Sequence, residues 1–340
     1  MKWIYDLSPR ELHSEITGLG LKPYISRQIS SWLYKKIQPD ISRWTDISRE
    51  NRSLLQSRLD TGLDRVIETA SDGGGTRKFL IRLRDGVRIE AVMIPEKDHT
   101  TFCISSQAGC PLGCAFCETG RSGFTRNLTS GEILGQVLIL KQFLEPSSPG
   151  KLNLVFMGMG EPLLNYGSVR AALQVITAPD ALAVSPRAIT VSTAGILPRI
   201  RELYRDFPNI KLSVSLNASD PALRRVLMPS SRLTELPELL DYLGHHQPRY
   251  RVTLIYVLLK GINDSARHAG ELAGAVKKIR CKINLIPFNE NRCRFQPPDP
   301  ATVDRFARDL REHHLTVTVR WSKGEDIHAA CGQLALNQSA

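Results

Sequence analysis

The stretch Thr101-Phe102-Cys103-Ile104-Ser105-Ser106-Gln107-Ala108-Gly109-Cys110-Pro111-Leu112-Gly113-Cys114-Ala115-Phe116-Cys117 sets the frame for the rest of the chain. Thr101–Ser105 reads as a short strand, and residues 106–117 as a loop with three thiols spaced C-x3-C-x2-C. Gly109 and Gly113 allow that loop to fold tightly, because glycine accepts backbone conformations that other residues avoid. Structural zinc normally takes four protein ligands, and no second CxxC pair completes such a site here. Iron–sulfur cubanes are held by cysteine thiolates, usually four, so three would leave one iron open to another ligand. The competing readings are three buried cysteines in an ordinary turn and a zinc ion that borrows a histidine.

Downstream of the loop, strand-like runs alternate with amphipathic segments. Strands are expected near Leu152–Met157, Ala188–Thr193, Ile210–Leu216, Val252–Leu258, Ile283–Pro287 and Thr316–Arg320. Helical periodicity fills Ser130–Phe143, Ser168–Ile176, Leu233–Gly244, Ser265–Lys277 and Ala301–His313 between them. Repeated strand–helix units imply a mainly parallel sheet covered by helices. No doubly wound fingerprint is present, so a full or partial barrel is expected, with its chemistry at the carboxyl edge.

Upstream, Phe79, Ile81 and Leu83 alternate with other residues, Asp85-Gly86 comes next, and Val87, Ile89, Ala91 and Met93 alternate again. An Asp-Gly pair between two period-2 runs predicts a hairpin, and Gly73-Gly74-Gly75 before it reads as a hinge or loop. Residues 1 to about 70 read as helical, with Ser8-Pro9 a helix start and Tyr24–Ile37 apolar at helical spacing. Arg27, Lys35 and Lys36 there are either a solvated face or an RNA contact.

The chain has 340 residues, with 42% hydrophobic and 23% charged content. That balance excludes a disordered or coiled-coil chain. The opening MKWIYDLSPRELHSEI lacks the apolar core of a signal peptide. The longest apolar runs, such as Val252–Leu259, fall short of the ~20 residues of a membrane helix. A cytoplasmic protein with no membrane association is the expectation. Forty-five Lys and Arg against 34 Asp and Glu give a net charge of +11. This suits either a phosphate-rich partner or a generally basic surface. Of seven cysteines, four lie between Cys103 and Cys117, a clustering that speaks for metal or redox chemistry over a disulfide scaffold.

The pattern C-x3-C-x-aromatic-C, with Phe116 as the aromatic, resembles the signature of the radical S-adenosylmethionine (SAM) superfamily. That resemblance implies a [4Fe-4S] cluster on Cys110, Cys114 and Cys117, with its open iron bound to the amino and carboxylate groups of SAM. It becomes narrower over nearly the whole chain. Cys103-Ile-Ser-Ser-Gln-Ala-Gly-Cys110, Gly123-Phe-Thr-Arg-Asn-Leu128, Met157-Gly-Met-Gly-Glu-Pro-Leu-Leu-Asn165, Asn284-Leu-Ile-Pro-Phe-Asn289 and Asp326-Ile-His-Ala-Ala-Cys-Gly-Gln-Leu334 are similar to motifs of the RlmN family. The implied fold is α/β, a partial (β/α) barrel of the radical SAM type. It would comprise a small N-terminal helical accessory domain (1–72), a β-hairpin connector (73–98) and the catalytic barrel (99–340).

The family reaction, methylation of adenine C2 in 23S rRNA and tRNA, needs this chemistry, since C2 is too electron-poor to attack a methyl donor directly. The resemblance implies two SAM per turnover. The first methylates Cys331, a thiolate being a good nucleophile. The second yields a 5′-deoxyadenosyl radical that takes hydrogen from that methyl group, and the methylene radical adds to C2. Cys103 then attacks the Cys331 sulfur and leaves a transient Cys103–Cys331 disulfide. On residues alone, Cys331 is a buried free cysteine and Cys103 a core strand cysteine; Cys281 and Cys293 match no motif and read as structural.

SAM contacts implied by the resemblance are Gly160 and Glu161 at the end of one strand, Ser192, the Ser215-Leu216-Asn217 tip, and Asn289. The family usually has histidine where this chain has Asn217. Glu90 matches a candidate proton acceptor, though the sequence shows only a polar residue on a strand face.

Basic windows support RNA binding diffusely: residues 277–323 hold eleven Lys or Arg against five acids, and 187–232 hold eight against three. The enzyme alternative is Cfr-type adenine C8 methylation, against which Pro162 speaks. A methylthiotransferase would need a second trio of cluster cysteines. A non-catalytic iron–sulfur redox sensor that binds RNA would not need the Cys331 motif. An electron donor is required but not identified, and a monomer is the simplest assembly.

Overall fold

Parallel strands buried on both faces need near-continuous apolar runs, and Val252–Leu258 supplies one. The computed structural model describes residues 1–148, 150–229, 234–246 and 248–334. Within them one ten-stranded sheet dominates. Its strands are β1 (Arg65–Ser71), β2 (Arg77–Arg82), β3 (Arg88–Pro95), β4 (Thr100–Cys103), β5 (Leu152–Phe156), β6 (Ile189–Thr193), β7 (Lys211–Ser215), β8 (Val252–Leu258), β9 (Cys281–Pro287) and β10 (Val317–Val319). Spatial order follows chain order from β1 to β10, so the sheet is an open, partial barrel. Strands β4 to β10 pair in parallel. Strands β1 to β3 extend the sheet antiparallel from β4.

Helices Ser130–Gln142, Tyr166–Thr177, Leu197–Asp206, Leu236–His245, Ala266–Val276 and Pro300–Glu312 connect the parallel strands. Their starts are set by local chemistry. Thr129 and Glu132 form a reciprocal capping box, and Ser265 and Asp299 accept from backbone N–H groups of the first turn. The expected helix from Leu233 is observed from Leu236; Leu233 itself lies outside the described residues.

Helix Ser130–Gln142 is buried nearly all round because the N-terminal segment covers its outer face. The Gly131 N–H donates to Asp6 Oδ1 at 2.8 Å. A Cβ at Gly131 would come within 2.6 Å of the Trp3 ring, so only glycine admits this close approach.

Pro9–Gly18, Ile25–Ser30 and Arg49–Arg58 are helical as expected, and a π-helical turn continues the second through Lys35. The helical reading of the first 70 residues does not hold at its end: Arg65–Ser71 is strand β1. It is a mostly exposed edge strand with a bulge at Val66/Glu68, so it carries no apolar period to read. Gly73-Gly74-Gly75 is the β1–β2 turn, where Asp72 Oδ1 accepts from the N–H groups of Gly74 (2.9 Å) and Thr76 (2.6 Å). The Asp85-Gly86 hairpin is β2–β3, so the connector region is a three-stranded antiparallel extension of the main sheet.

No helix among the described residues is long and apolar enough to cross a membrane.

Candidate active site

The carboxyl ends of the parallel strands surround a cavity of about 940 Å³ including its mouth. The loop after β4 brings Cys110, Cys114 and Cys117 to its wall. Gly109 has φ +78°, and a Cβ there would lie 2.1 Å from the Gly123 carbonyl oxygen, which also accepts from the Cys110 N–H at 2.8 Å. The glycine is thus what lets a small ribbon, Gln107–Gly109 against Phe124–Asn127, present the first thiol.

Burial is the main cause that raises all three thiols: Cys110 to about 12, Cys114 well above the ordinary range, and Cys117 likewise upward. Ligation by a metal would therefore expel protons. Among the described residues, no three Cys, His, Asp or Glu side chains converge as on a single ion. The three cysteines line one wall of the cavity, a donor set that suits an iron–sulfur cluster with one iron left open.

Glu161 lies just past β5 and is buried, with Gly160 beside it on the same cavity. Its Oε2 accepts from the Ala194 N–H at 2.7 Å and its Oε1 from the Leu163 N–H at 3.0 Å. Burial nonetheless raises this carboxyl to about 7, against those hydrogen bonds. Ser192, Ser215 and Asn289 also line the cavity. Asn217 lines it in the left-handed conformation (φ +59°), which asparagine tolerates better than most side chains. Its Oδ1 accepts from the Val257 N–H at 2.9 Å and its amide donates to Met228 Sδ at 3.2 Å. Leu216 stands apart from the cavity. Strand alternation turns its side chain into the barrel core, and its carbonyl accepts from Arg224 Nε at 3.2 Å.

Beyond β10 the chain returns over the barrel mouth. Asn289 Nδ2 donates to the Cys331 carbonyl at 2.9 Å, and the Glu118 N–H, beside the cysteine loop, donates to the Gly332 carbonyl at 2.8 Å. Lys78 on β2 donates to the His328 carbonyl at 3.3 Å. The Cys331 thiol lines the large cavity and also a smaller one behind it. That second space holds Cys103 at the end of β4, with Met157, Arg320 and Ala330. Both cysteines are free thiols.

Glu90 lines neither cavity. On β3 it lies two residues from Val92, the register partner of Cys103, and projects from the same face. There it meets Lys78 Nζ at 3.2 Å in a groove shared with Glu68. The ten residues expected around SAM and the cluster, other than Leu216, thus meet Cys331 in one place, and Cys103 meets it from behind.

Residue types alone did not expose several supports. Gln107 Oε1 accepts from the Glu161 N–H at 2.8 Å, and Asn165 donates to the carbonyls of Ser106 and Leu128, both at 2.8 Å. Both lie inside the RlmN-like motifs, which was their only signal. Lys78 and Arg320 lie outside any motif and gave none.

The profile described as the radical SAM superfamily matches residues 104–273, and that of the ribosomal RNA large subunit methyltransferase N-terminal domain matches residues 2–60. The dual-specificity RNA methyltransferase RlmN of Solidesulfovibrio magneticus is 44% identical over 336 residues, 97% of this chain and 95% of that protein. The RlmN of Geobacter sulfurreducens is likewise 44% identical, over 97% of this chain and 91% of its own. The crystal structure of a radical SAM methyltransferase from Sphaerobacter thermophilus aligns with a TM-score of 0.93 at 37% identity, covering 98% of this chain and 99% of that one. A [4Fe-4S] cluster and SAM are the cofactors of the superfamily, and the thiol wall with its buried carboxylate fits them. Sequence identity and fold agree over both ends of the molecule: the chain belongs to the RlmN family of the radical SAM superfamily.

Proposed function

We propose that this chain methylates C2 of adenosine in 23S rRNA and in tRNA, with Cys331 as the methyl carrier and Cys103 as the resolving thiol. The observation that carries this reading is the position of Cys331 between two cavities, one with the cluster thiols and Glu161, the other with Cys103. Cys110, Cys114 and Cys117 would hold the cluster, and Glu161 would accept from the ammonium of SAM. When bound, the cluster and SAM would supply the one-electron chemistry of the reaction.

The residues of the chain then act in order. The Cys331 sulfur takes a methyl group by displacement, as a thiolate does readily. Its small neighbours Ala329, Ala330 and Gly332 leave room for a nucleobase. Asn289 fixes the Cys331 backbone, and Gly160, Ser192, Ser215 and Asn217 shape the floor on which SAM would lie. Glu90, held by Lys78, would take the proton from C2. Cys103 closes the cycle at the Cys331 sulfur.

Residues 1–72 would serve as accessory module, 73–98 as connector and 99–340 as catalytic barrel; residues 335–340 lie outside the described set. The basic windows would bind phosphates and a flipped adenine would enter the mouth; residues 230–232 of the second window lie outside the described set as well. We place the protein in the cytoplasm, where thiols stay reduced, as a monomer served by an electron donor not yet identified. The test is anaerobic reconstitution with SAM, a reductant and an rRNA or tRNA fragment, followed by mass spectrometry of the nucleosides. The product expected is 2-methyladenosine; 8-methyladenosine in its place would overturn the C2 assignment.

The Glu161 contact has its own pH signature. Burial raises its carboxyl to about 7, and only the ionised form pairs with an ammonium. SAM affinity should therefore be flat above about pH 8 and fall as pH drops through 7, approaching tenfold per pH unit. Equilibrium binding of SAM to cluster-loaded enzyme between pH 5.5 and 8.5 measures this. An affinity that stays level, or rises at low pH, would remove Glu161 from the ammonium site.

A further inference from the structure

The cavity shared by Cys103 and Cys331 is walled mainly by apolar or small side chains, among them Ile94, Val155 and Met157. Two cations enter it, and they differ. Lys323 is committed to Glu96 Oε2 at 2.8 Å and to the Pro95 carbonyl at 3.3 Å. Arg320 is anchored by its own N–H to the Leu285 carbonyl at 2.8 Å, yet among the described residues no carboxylate pairs with its guanidinium. Another charged pair, Lys78 with Glu90 at 3.2 Å, lies beyond Val92. Arg320 is half-buried on this cavity, and the groups lining the cavity with it that can become anions are the two thiols.

We infer that Arg320 is a positioning residue for resolution: its guanidinium stabilises the thiolate of Cys103 and so directs Cys103, rather than solvent, at the Cys331 sulfur. The electrostatics of the resting enzyme agree. Burial raises the Cys103 thiol to about 12, Cys331 adds to that, and Arg320 opposes it. Cys103 is thus a guarded, protonated thiol at rest. Once Cys331 carries carbon as a thioether it can no longer ionise, its opposition lapses, and Arg320 remains.

The step balances without an outside oxidant. The Cys103 proton leaves to water. The thiolate pair forms the S–S bond to Cys331. The Cys331 S–C bond breaks with its electrons on carbon, and that carbon takes one proton to become the methyl group. The two sulfurs together give up the two electrons that reduce the carbon.

This inference rests on the methyl-carrier reading for the identity of the target sulfur, but its electrostatic core is testable without RNA. In cluster-loaded enzyme, iodoacetamide labelling of Cys103 is followed by mass spectrometry across pH, with Cys281 as an internal reference. R320Q and R320M, two neutral replacements that keep an aliphatic stem, should slow Cys103 labelling about tenfold at pH 8, and R320K should restore most of the rate. An unchanged Cys103 profile in a neutral variant that keeps its iron–sulfur absorption overturns the inference. So does a change confined to the salt dependence of RNA binding, which would make Arg320 a phosphate contact. With RNA present, the neutral variants should hold a covalent protein–RNA species that decays about tenfold more slowly than in the parent. If no such species forms even in a Cys103→Ala enzyme, the methyl-carrier reading fails, while the labelling result still stands or falls alone.

Discussion

Replacement of Cys331 by alanine is expected to abolish methyl transfer to RNA while the iron–sulfur absorption and SAM binding persist. The expectation rests on where its sulfur sits. Cys331 adds no donor to the wall of Cys110, Cys114 and Cys117, which belongs to a loop over 200 residues earlier in the chain. What holds the Cys331 segment in place is its backbone, through Asn289 and the ties from Glu118 and Lys78, and alanine keeps all of these. The thiol is half-buried, so its removal opens no sealed core cavity. If Cys331 is the only acceptor for the first methyl group, the variant should carry no label from methyl-labelled SAM in protein or RNA. Normal turnover by this variant would end the carrier mechanism, since no other thiol lines both cavities.

The parts of this architecture that were legible in the sequence are those with a strong period or a fixed spacing. The parallel strands announce themselves as short apolar runs between amphipathic helices, and the Asp85-Gly86 turn fixes one hairpin. β1 escaped because an edge strand with one bulge and mostly exposed side chains has no pattern to betray it. At the site, cysteine spacing identifies the cluster loop because thiolates have few other uses in such an array. Leu216 shows the opposite limit: a family motif marks a segment, but a strand sends alternate side chains to opposite faces, so only Ser215 and Asn217 reach the cavity. Arg320 is invisible for another reason. A lone arginine after a strand means nothing until the fold shows that it shares a cavity with two thiols and, among the described residues, pairs with no carboxylate.

The second large effect concerns Cys103. Cys103→Ala should stop turnover at a later stage than Cys331→Ala, and the stalled state should be visible. Cys103 is buried at the end of β4, so the substitution removes one sulfur from a packed position, at a cost of about 1 kcal/mol by comparison with one buried methylene. A domain of ordinary stability, roughly 5–15 kcal/mol, survives that loss. The cluster cysteines, Glu161 and Cys331 are untouched, so Cys331 can still be methylated and joined to adenine. No other thiol lines the small cavity, and the thioether between Cys331 and the nucleobase should therefore persist. One RNA per protein should migrate with the chain on a denaturing gel, and peptide mapping should place the added nucleotide on Cys331. Cys103→Ala/Cys331→Ala should show no such species, which separates the adduct from nonspecific cross-linking. Free methylated RNA released at the parent's rate by Cys103→Ala would show that resolution does not pass through Cys103, and would leave its place behind the methyl carrier without a chemical role.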